Sequence, residues 1–214
     1  MPNTTLWLIR HGETSWNAER RFQGHTDVPL NATGRGQAKR LAERLKEDHL
    51  DDAFTAIYSS DLGRARETAA AAAQACGLTL QIHSGLRERH YGVLSALTPE
   101  EMAARHPEAY AQWQVRNPDY VLPEGESLRG FNARVMDTLT EIAEAHPGQQ
   151  VLVVAHGGVL DCAYRAATGQ PLSARREHSL HNASINRVRF RGGRYHVEQW
   201  GDIAHLEAEA FDEI

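Results

Sequence analysis

Two apolar runs in this sequence end the same way, as Leu6-Trp7-Leu8-Ile9-Arg10-His11-Gly12 and as Val151-Leu152-Val153-Val154-Ala155-His156-Gly157-Gly158. A histidine placed where an apolar strand stops is rigidly held yet open to a ligand. Its imidazole can attack an electrophile at neutral pH, because one ring nitrogen is free while the other carries the proton. Arg10 adjoins the first histidine, Arg64 follows Asp61-Leu62-Gly63, and Glu88 lies in Leu86-Arg87-Glu88-Arg89-His90-Tyr91-Gly92. Together these side chains make a compact cationic pocket with one carboxyl group available to move protons. The fitting ligand is a phosphate, whose non-bridging oxygens accept charge-assisted, bidentate hydrogen bonds from guanidinium groups. Gly12, Gly157 and Gly158 allow the backbone to approach it. Phosphoryl transfer needs an in-line nucleophile and charge stabilisation on the equatorial oxygens, a task arginines can take over from magnesium.

For these residues to meet, the elements that carry them must end at one edge. The run Thr4 to Arg10 reads as a strand, Phe54 to Tyr58 as a second, Leu78 to Ile82 as a third and Val151 to Ala155 as a buried parallel strand. Between them, helical spacing predicts a short helix over Thr14 to Arg20 and amphipathic helices over Thr33 to Glu47, Leu62 to Ala75 (capped by Ser60 or Asp61), Ser127 to about Pro147, and from His156 to about Thr168. Thr98-Pro99-Glu100-Glu101 starts a small helical excursion to about Arg116, and Ile185 to Arg191 with Tyr195 to Trp200 reads as a hairpin at the sheet's edge. The expected fold is α/β: a single three-layer α/β/α domain over residues 1–214, with a mostly parallel central sheet, helices on both faces and a helical insertion at about 93–127. Parallel strands placed side by side deliver His11 and His156 to the carboxyl edge, where open α/β sheets bind ligands.

With 41% hydrophobic and 24% charged residues, the 214-residue chain has the composition of an ordinary globular protein, and its net charge of -5 argues against a nucleic-acid or membrane surface. No stretch approaches a membrane span, and Met1 to Thr5 carries no basic segment leading into an apolar one, so the expectation is a cytoplasmic protein. Cys76 and Cys162 lack metal-site spacing and read as small buried hydrophobes. No H-E-x-x-H, paired cysteines or close acidic cluster provides a metal site, and there is no Walker A sequence.

Arg10-His11-Gly12-Glu13 with Trp16-Asn17, Ser60 to Thr68, the Leu-x-Glu-x-x-x-Gly stretch Leu86 to Gly92, and Val154 to Gly158 together resemble the histidine phosphatase (phosphoglycerate mutase-like) superfamily, in order and over nearly the whole chain. The resemblance implies a phosphohistidine enzyme with no metal or other cofactor, acting on a small phosphorylated metabolite. His11 is then the nucleophile, Arg10, Arg64 and His156 hold the phosphoryl oxygens, Asn17 adds a contact and Glu88 is the proton donor, with a raised pKa. Gln23, Gly24 and Gly157 line the pocket. Glu13 reads as structural, orienting Arg10 or a nearby backbone group, and Glu67 and Thr68 as part of a helix. Arg87, Arg89 and His90 either extend the pocket toward a second anionic group or form a solvated face. His25, His49, His83, His106, His146 and His196 read as structural.

Two catalytic readings share these residues: a metal-independent phosphatase of small phosphomonoesters, and a phosphoglycerate mutase dependent on 2,3-bisphosphoglycerate. A non-catalytic phosphate-binding scaffold is a third. Glu88-Arg89-His90-Tyr91-Gly92 resembles the mutases. The short excursion over Val93 to Ser127, in which Arg105 and Arg116 are outnumbered by carboxylates, leaves the pocket poorly covered and favours water as acceptor. Met102, Tyr110, Trp113 and Tyr120 either wall the pocket or pack a small core of their own. The acidic tail, Ala204 to Ile214, either folds over the site or frays.

Overall fold

The computed structural model describes residues 3–51 and 53–206. Its strands are β1 (Thr4–Arg10), β2 (Phe54–Ser59), β3 (Leu80–Ile82), β4 (Gln150–Ala155), β5 (Ile185–Arg191) and β6 (Arg194–Asp202). Among the described residues they form one sheet in the order β3-β2-β4-β1-β5-β6, in which β1, β2, β3 and β4 pair in parallel and β5 pairs antiparallel with both β1 and β6. The strands that precede the two histidines are direct neighbours, with Arg10 opposite Ala155.

Helices α1 (Ser15–Ala18), α2 (Ala32–Asp51), α3 (Gly63–Cys76), α4 (Pro99–Arg105), α5 (Pro107–Gln114), α6 (Leu128–Ala145) and α7 (Gly157–Thr168) complete the described structure, with short 3-10 turns. The period-2 alternation of the strands fixes which face each side chain serves. Leu6, Leu8, Val151 and Val153 pack with Phe131, Val135 and Leu139 of α6 and Val159, Leu160 and Ala163 of α7. Trp7, Ile9, Leu152 and Val154 pack on the other face with Leu41, Leu45, Ala65, Ala69 and Ala72 of α2 and α3. A one-residue slip of β1 against β4 would exchange these faces, so the double-sided core also fixes the height at which His11 and His156 emerge.

Two expectations change. The helix α2 runs on to Asp51, because nothing from Glu47 to Asp51 interrupts helical geometry. The N-terminus of α3 is capped from outside: Gly63 N donates to Asp27 Oδ1 at 2.7 Å, while Asp61 turns to Arg87. The hairpin forms one edge of the sheet as expected, with β5 beside β1 and Ile185 opposite Ile9. That pairing delivers residues 180–184 to the carboxyl end of β1.

Helices α4 and α5, broken at His106-Pro107, form a small core of their own with Leu94, Leu97, Met102, Ala109 and Leu122. Tyr110, Trp113 and Tyr120 pack on it beside Phe22 and Tyr91. Ala204–Leu206 is a 3-10 turn that buries Leu206 in the α2/α3 face. Residues 207–214 lie outside the described residues.

The loop after β1 is seated on the start of α2 through backbone contact. A Cβ on Gly34 would stand 2.0 Å from the Glu13 carbonyl oxygen and one on Gly12 2.5 Å from that of Gly34. Gly34→Ala is therefore expected to destabilise by about 3 kcal/mol, a fall in Tm of roughly 6–12 °C for a chain of this size, measured by thermal melting.

Candidate active site

His11 and His156 meet at the carboxyl edge, ring centroids 5.2 Å apart. The His11 Nδ1–H donates to the carbonyl of Gly12 at 2.7 Å. Because a carbonyl can only accept, this bond places the proton on Nδ1 and the lone pair on Nε2. Arg64 Nε–H donates to that Nε2 at 3.3 Å. The peptide of Gly12 is itself held, its N–H on Thr68 Oγ1 at 3.0 Å, so Thr68 does more than complete a helical turn.

Two buried arginines flank the rings. Arg10 is anchored by a bond from Nη1 to the Leu180 carbonyl. Arg64, at the first turn of α3, donates from Nη1 to Thr26 O at 2.9 Å and from Nη2 to Gly24 O at 2.8 Å. Both ring nitrogens of His156 are buried and make no hydrogen bond among the described residues. An imidazole kept in that state suits an anion that arrives later, since unpartnered buried polar groups carry a desolvation cost.

Glu88 sits against the N-terminus of α7. Its Oε1 accepts from Arg89 N at 2.7 Å and its Oε2 from Gly158 N at 2.9 Å. A Cβ on Gly158 would stand 2.2 Å from Glu88 Oε1, so only glycine leaves room for the carboxylate there.

The cavity over these groups, open to solvent, is lined by Arg10, His11, Asn17, Gln23, Gly24, Arg64, Glu88 and Gly157, with Trp16, Arg20, Arg21, Phe22 and Tyr91 at its walls. His156, fully buried, is not among the cavity's lining residues. Glu13 bonds Asn31 and Gln37 and does not touch Arg10, so it clips the loop to α2. Arg87 pairs with Asp61, and His90 packs edge-on against His25 at 4.5 Å. Arg89 faces an adjoining cavity with Arg116 and Arg176. Among the described residues no three His, Cys, Asp or Glu side chains gather to hold a metal ion, and no helix is long and apolar enough to cross a membrane. Both cysteines are buried.

Sequence reasoning missed Asn182, whose Nδ2 donates to the His11 carbonyl at 2.9 Å. The available signal was its place just before β5, which becomes informative only once β5 is known to pair with β1.

Burial, followed by the charges of Arg64 and Arg10, holds the pKa of His11 well below the usual histidine value, against the opposing Gly12 bond. Burial, Arg64, His11 and Arg10 do the same to His156. In the unfolded chain both bind protons near pH 6.5, so below that pH the unfolded state takes up more protons than the folded one. Stability is full above about pH 6.5 and falls as pH drops, by up to about 1.4 kcal/mol per pH unit for each buried ring. The depressed pKa values of His25 and His205 act in the same direction. Tm is expected to be lower at pH 5.5 than at pH 7.5; a Tm that holds or rises refutes neutral burial of the pair.

A mostly parallel sheet whose carboxyl edge carries this cationic, solvent-open cavity belongs to the α/β proteins that bind ligands at strand ends. The chain belongs to the histidine phosphatase superfamily (branch 1), whose profile matches residues 6–203. It is 43% identical over 207 residues to phosphoglycerate mutase-like protein 4 of Arabidopsis thaliana, covering 95% of this chain and 87% of the relative. The structure of YhfR from Bacillus stearothermophilus superimposes with a TM-score of 0.85 at 35% identity, covering 95% of this chain and all of that one. The mycobacterial glucosyl-3-phosphoglycerate phosphatase superimposes with a TM-score of 0.78 at 28% identity, covering 93% and 99%.

Proposed function

We propose that the protein is a metal-independent phosphatase of small phosphomonoesters that works through a phosphohistidine on His11. The observation that carries this reading is the His11 Nδ1–Gly12 carbonyl bond, which leaves Nε2 as the ring's only nucleophilic nitrogen in a pocket lined by cations. Nε2 attacks phosphorus as the ester P–O bond breaks. The Gly12 carbonyl then supports the positive charge on the phosphorylated ring, while Arg10, Arg64, His156 and Asn17 hold the oxygens. In the free site two backbone N–H groups suit Glu88 as a carboxylate. A phosphate dianion beside it favours proton uptake, and that proton goes to the departing alkoxide. Glu88, once ionised, takes a proton from water attacking the phosphohistidine. The P–N bond breaks and orthophosphate leaves.

Water as acceptor is supported by the cavity's lining, which takes no residue from 93–127, so that the helical insertion does not cover the pocket above His11. One observation favours the mutase reading: the adjoining cavity, with Arg89, Arg116 and Arg176 on its wall, suits a second anionic group such as the carboxylate of 2,3-bisphosphoglycerate. The similarity to the phosphoglycerate mutase-like plant protein points the same way.

The test is phosphate release from phosphoserine, phosphoglycerates, sugar phosphates and an aryl phosphate, with chelator present. Conversion of 3-phosphoglycerate in the presence of 2,3-bisphosphoglycerate is followed in parallel. Release from several monoesters is expected, with Glu88→Gln slowing it by about 10²–10⁴-fold, most for poor leaving groups. Fast isomerisation with little release would replace the phosphatase reading by the mutase.

A further inference from the structure

Residues 180–184, brought to the site because β5 pairs with β1, grip the catalytic end of β1 from several sides. The Leu180 carbonyl holds Arg10, and Ala183 N donates to Arg10 O at 3.0 Å and His11 O at 3.3 Å. To close this grip Ala183 adopts φ 55°, a left-handed conformation that costs a side-chain-bearing residue energy and persists only where the surroundings impose it. His205 donates from Nε2 to the Ala183 carbonyl at 3.1 Å and so backs the turn. Within it Asn182 is fully buried. Its Nδ2 reaches two acceptors, His11 O at 2.9 Å and Asn17 Oδ1 at 3.4 Å, while its Oδ1 has no partner.

Asn17 has two jobs. Its backbone and Oδ1 complete the capping box of α1, Oδ1 accepting from Thr14 N at 3.0 Å and Thr14 Oγ1 at 3.1 Å. Asn182 Nδ2 is a third donor to that oxygen. The Nδ2 of Asn17, on the cavity wall, makes no hydrogen bond among the described residues. An amide has two faces of opposite polarity, and only the NH₂ end can donate to an anion.

We infer that Asn182 is a positioning residue, which locks the Asn17 amide with its NH₂ toward the phosphoryl group and holds the His11 backbone at the height required for attack. It touches no substrate. It acts through Asn17 and His11, and so couples the loop before β5 to the phosphate pocket. The inference rests on the phosphate-pocket reading above, whichever acceptor takes the phosphoryl group.

The test is a double-mutant cycle on Asn182→Ala and Asn17→Ala, read as competitive inhibition by orthophosphate and as the yield of trapped phosphohistidine. Asn182→Ala is expected to weaken orthophosphate about tenfold in the wild-type background and less than about twofold in Asn17→Ala, because residues acting through one another are non-additive. Asn182→Ser, which keeps a small donor, is expected to recover part of the loss and serves in place of alanine if that variant does not fold. Equal, multiplicative losses in the two backgrounds would overturn the inference, since a merely structural residue lowers activity independently of Asn17. So would unchanged orthophosphate affinity in a folded Asn182 variant. Failure of the wild-type protein to bind orthophosphate competitively would instead overturn the pocket reading itself.

Discussion

His11→Ala is expected to lower phosphate release by on the order of 10⁴-fold or more, the scale on which loss of a covalent nucleophile acts, while Tm changes little. The alanine removes a ring that makes one hydrogen bond to Gly12 and accepts one from Arg64, and leaves the strand pairing of Arg10 with Ala155 intact. It also removes a buried neutral base, so the fall of stability below about pH 6.5 becomes shallower. Enzyme incubated with labelled monoester and quenched in alkali supplies a second readout. The wild type retains acid-labile, base-stable label, the signature of phosphorus on nitrogen, and His11→Ala retains none. Full turnover in His11→Ala would sink the covalent mechanism, whichever acceptor follows.

The fold was legible where a pattern is local and strongly constrained. Val151 to Ala155 is apolar throughout because β4 lies between β1 and β2 and is covered on both faces, and an apolar run cut off by His-Gly-Gly marks both the strand and its carboxyl end. Gly77 and Gly169 stop α3 and α7 in left-handed conformations that only glycine takes without penalty. Less legible were features decided by contacts between distant segments. Asp27 caps α3 from a loop 36 residues upstream, against a local rule that named Ser60 or Asp61. The position of β5 beside β1 is a tertiary choice, since a hairpin read from its Gly192-Gly193 turn fits any free edge equally well.

The site divides along the same line. Side chains whose chemistry is unusual for their place, His11, His156, Arg10, Arg64 and Glu88, could be picked out by type and position alone. Their supports could not, because most are backbone groups that every residue carries. The carbonyl of Gly12 sets the His11 tautomer, that of Leu180 anchors Arg10, and those of Gly24 and Thr26 brace Arg64. Type alone leaves Arg89 open: one residue from Glu88, it faces the adjoining cavity and donates to the Glu126 carbonyl.

Arg64→Ala is expected to have the second-largest effect, because one guanidinium serves three functions. Its Nε–H rests on His11 Nε2 in the free site, so its charge, after burial, is the main cause of the depressed His11 pKa. On binding, that donor can turn from the ring to a phosphoryl oxygen, which frees the lone pair at the moment the oxygens need charge. Its bonds to Thr26 and Gly24 tie the loop carrying Gln23 and Gly24 to α3. Loss of the transition-state contact predicts a fall in kcat/KM of about 10²–10³-fold. Loss of the charge predicts a direction for the pH profile: the His11 pKa rises, so the neutral nucleophile is lost at a higher pH and the acid limb moves toward neutrality. Arg64→Lys keeps the charge but not the fork. It should hold the acid limb near its wild-type place while recovering only part of the rate, since one ammonium cannot reach Gly24, Thr26 and the phosphate together. An acid limb that stays fixed in Arg64→Ala would show that burial alone keeps His11 neutral, and that Arg64 acts only as a clamp.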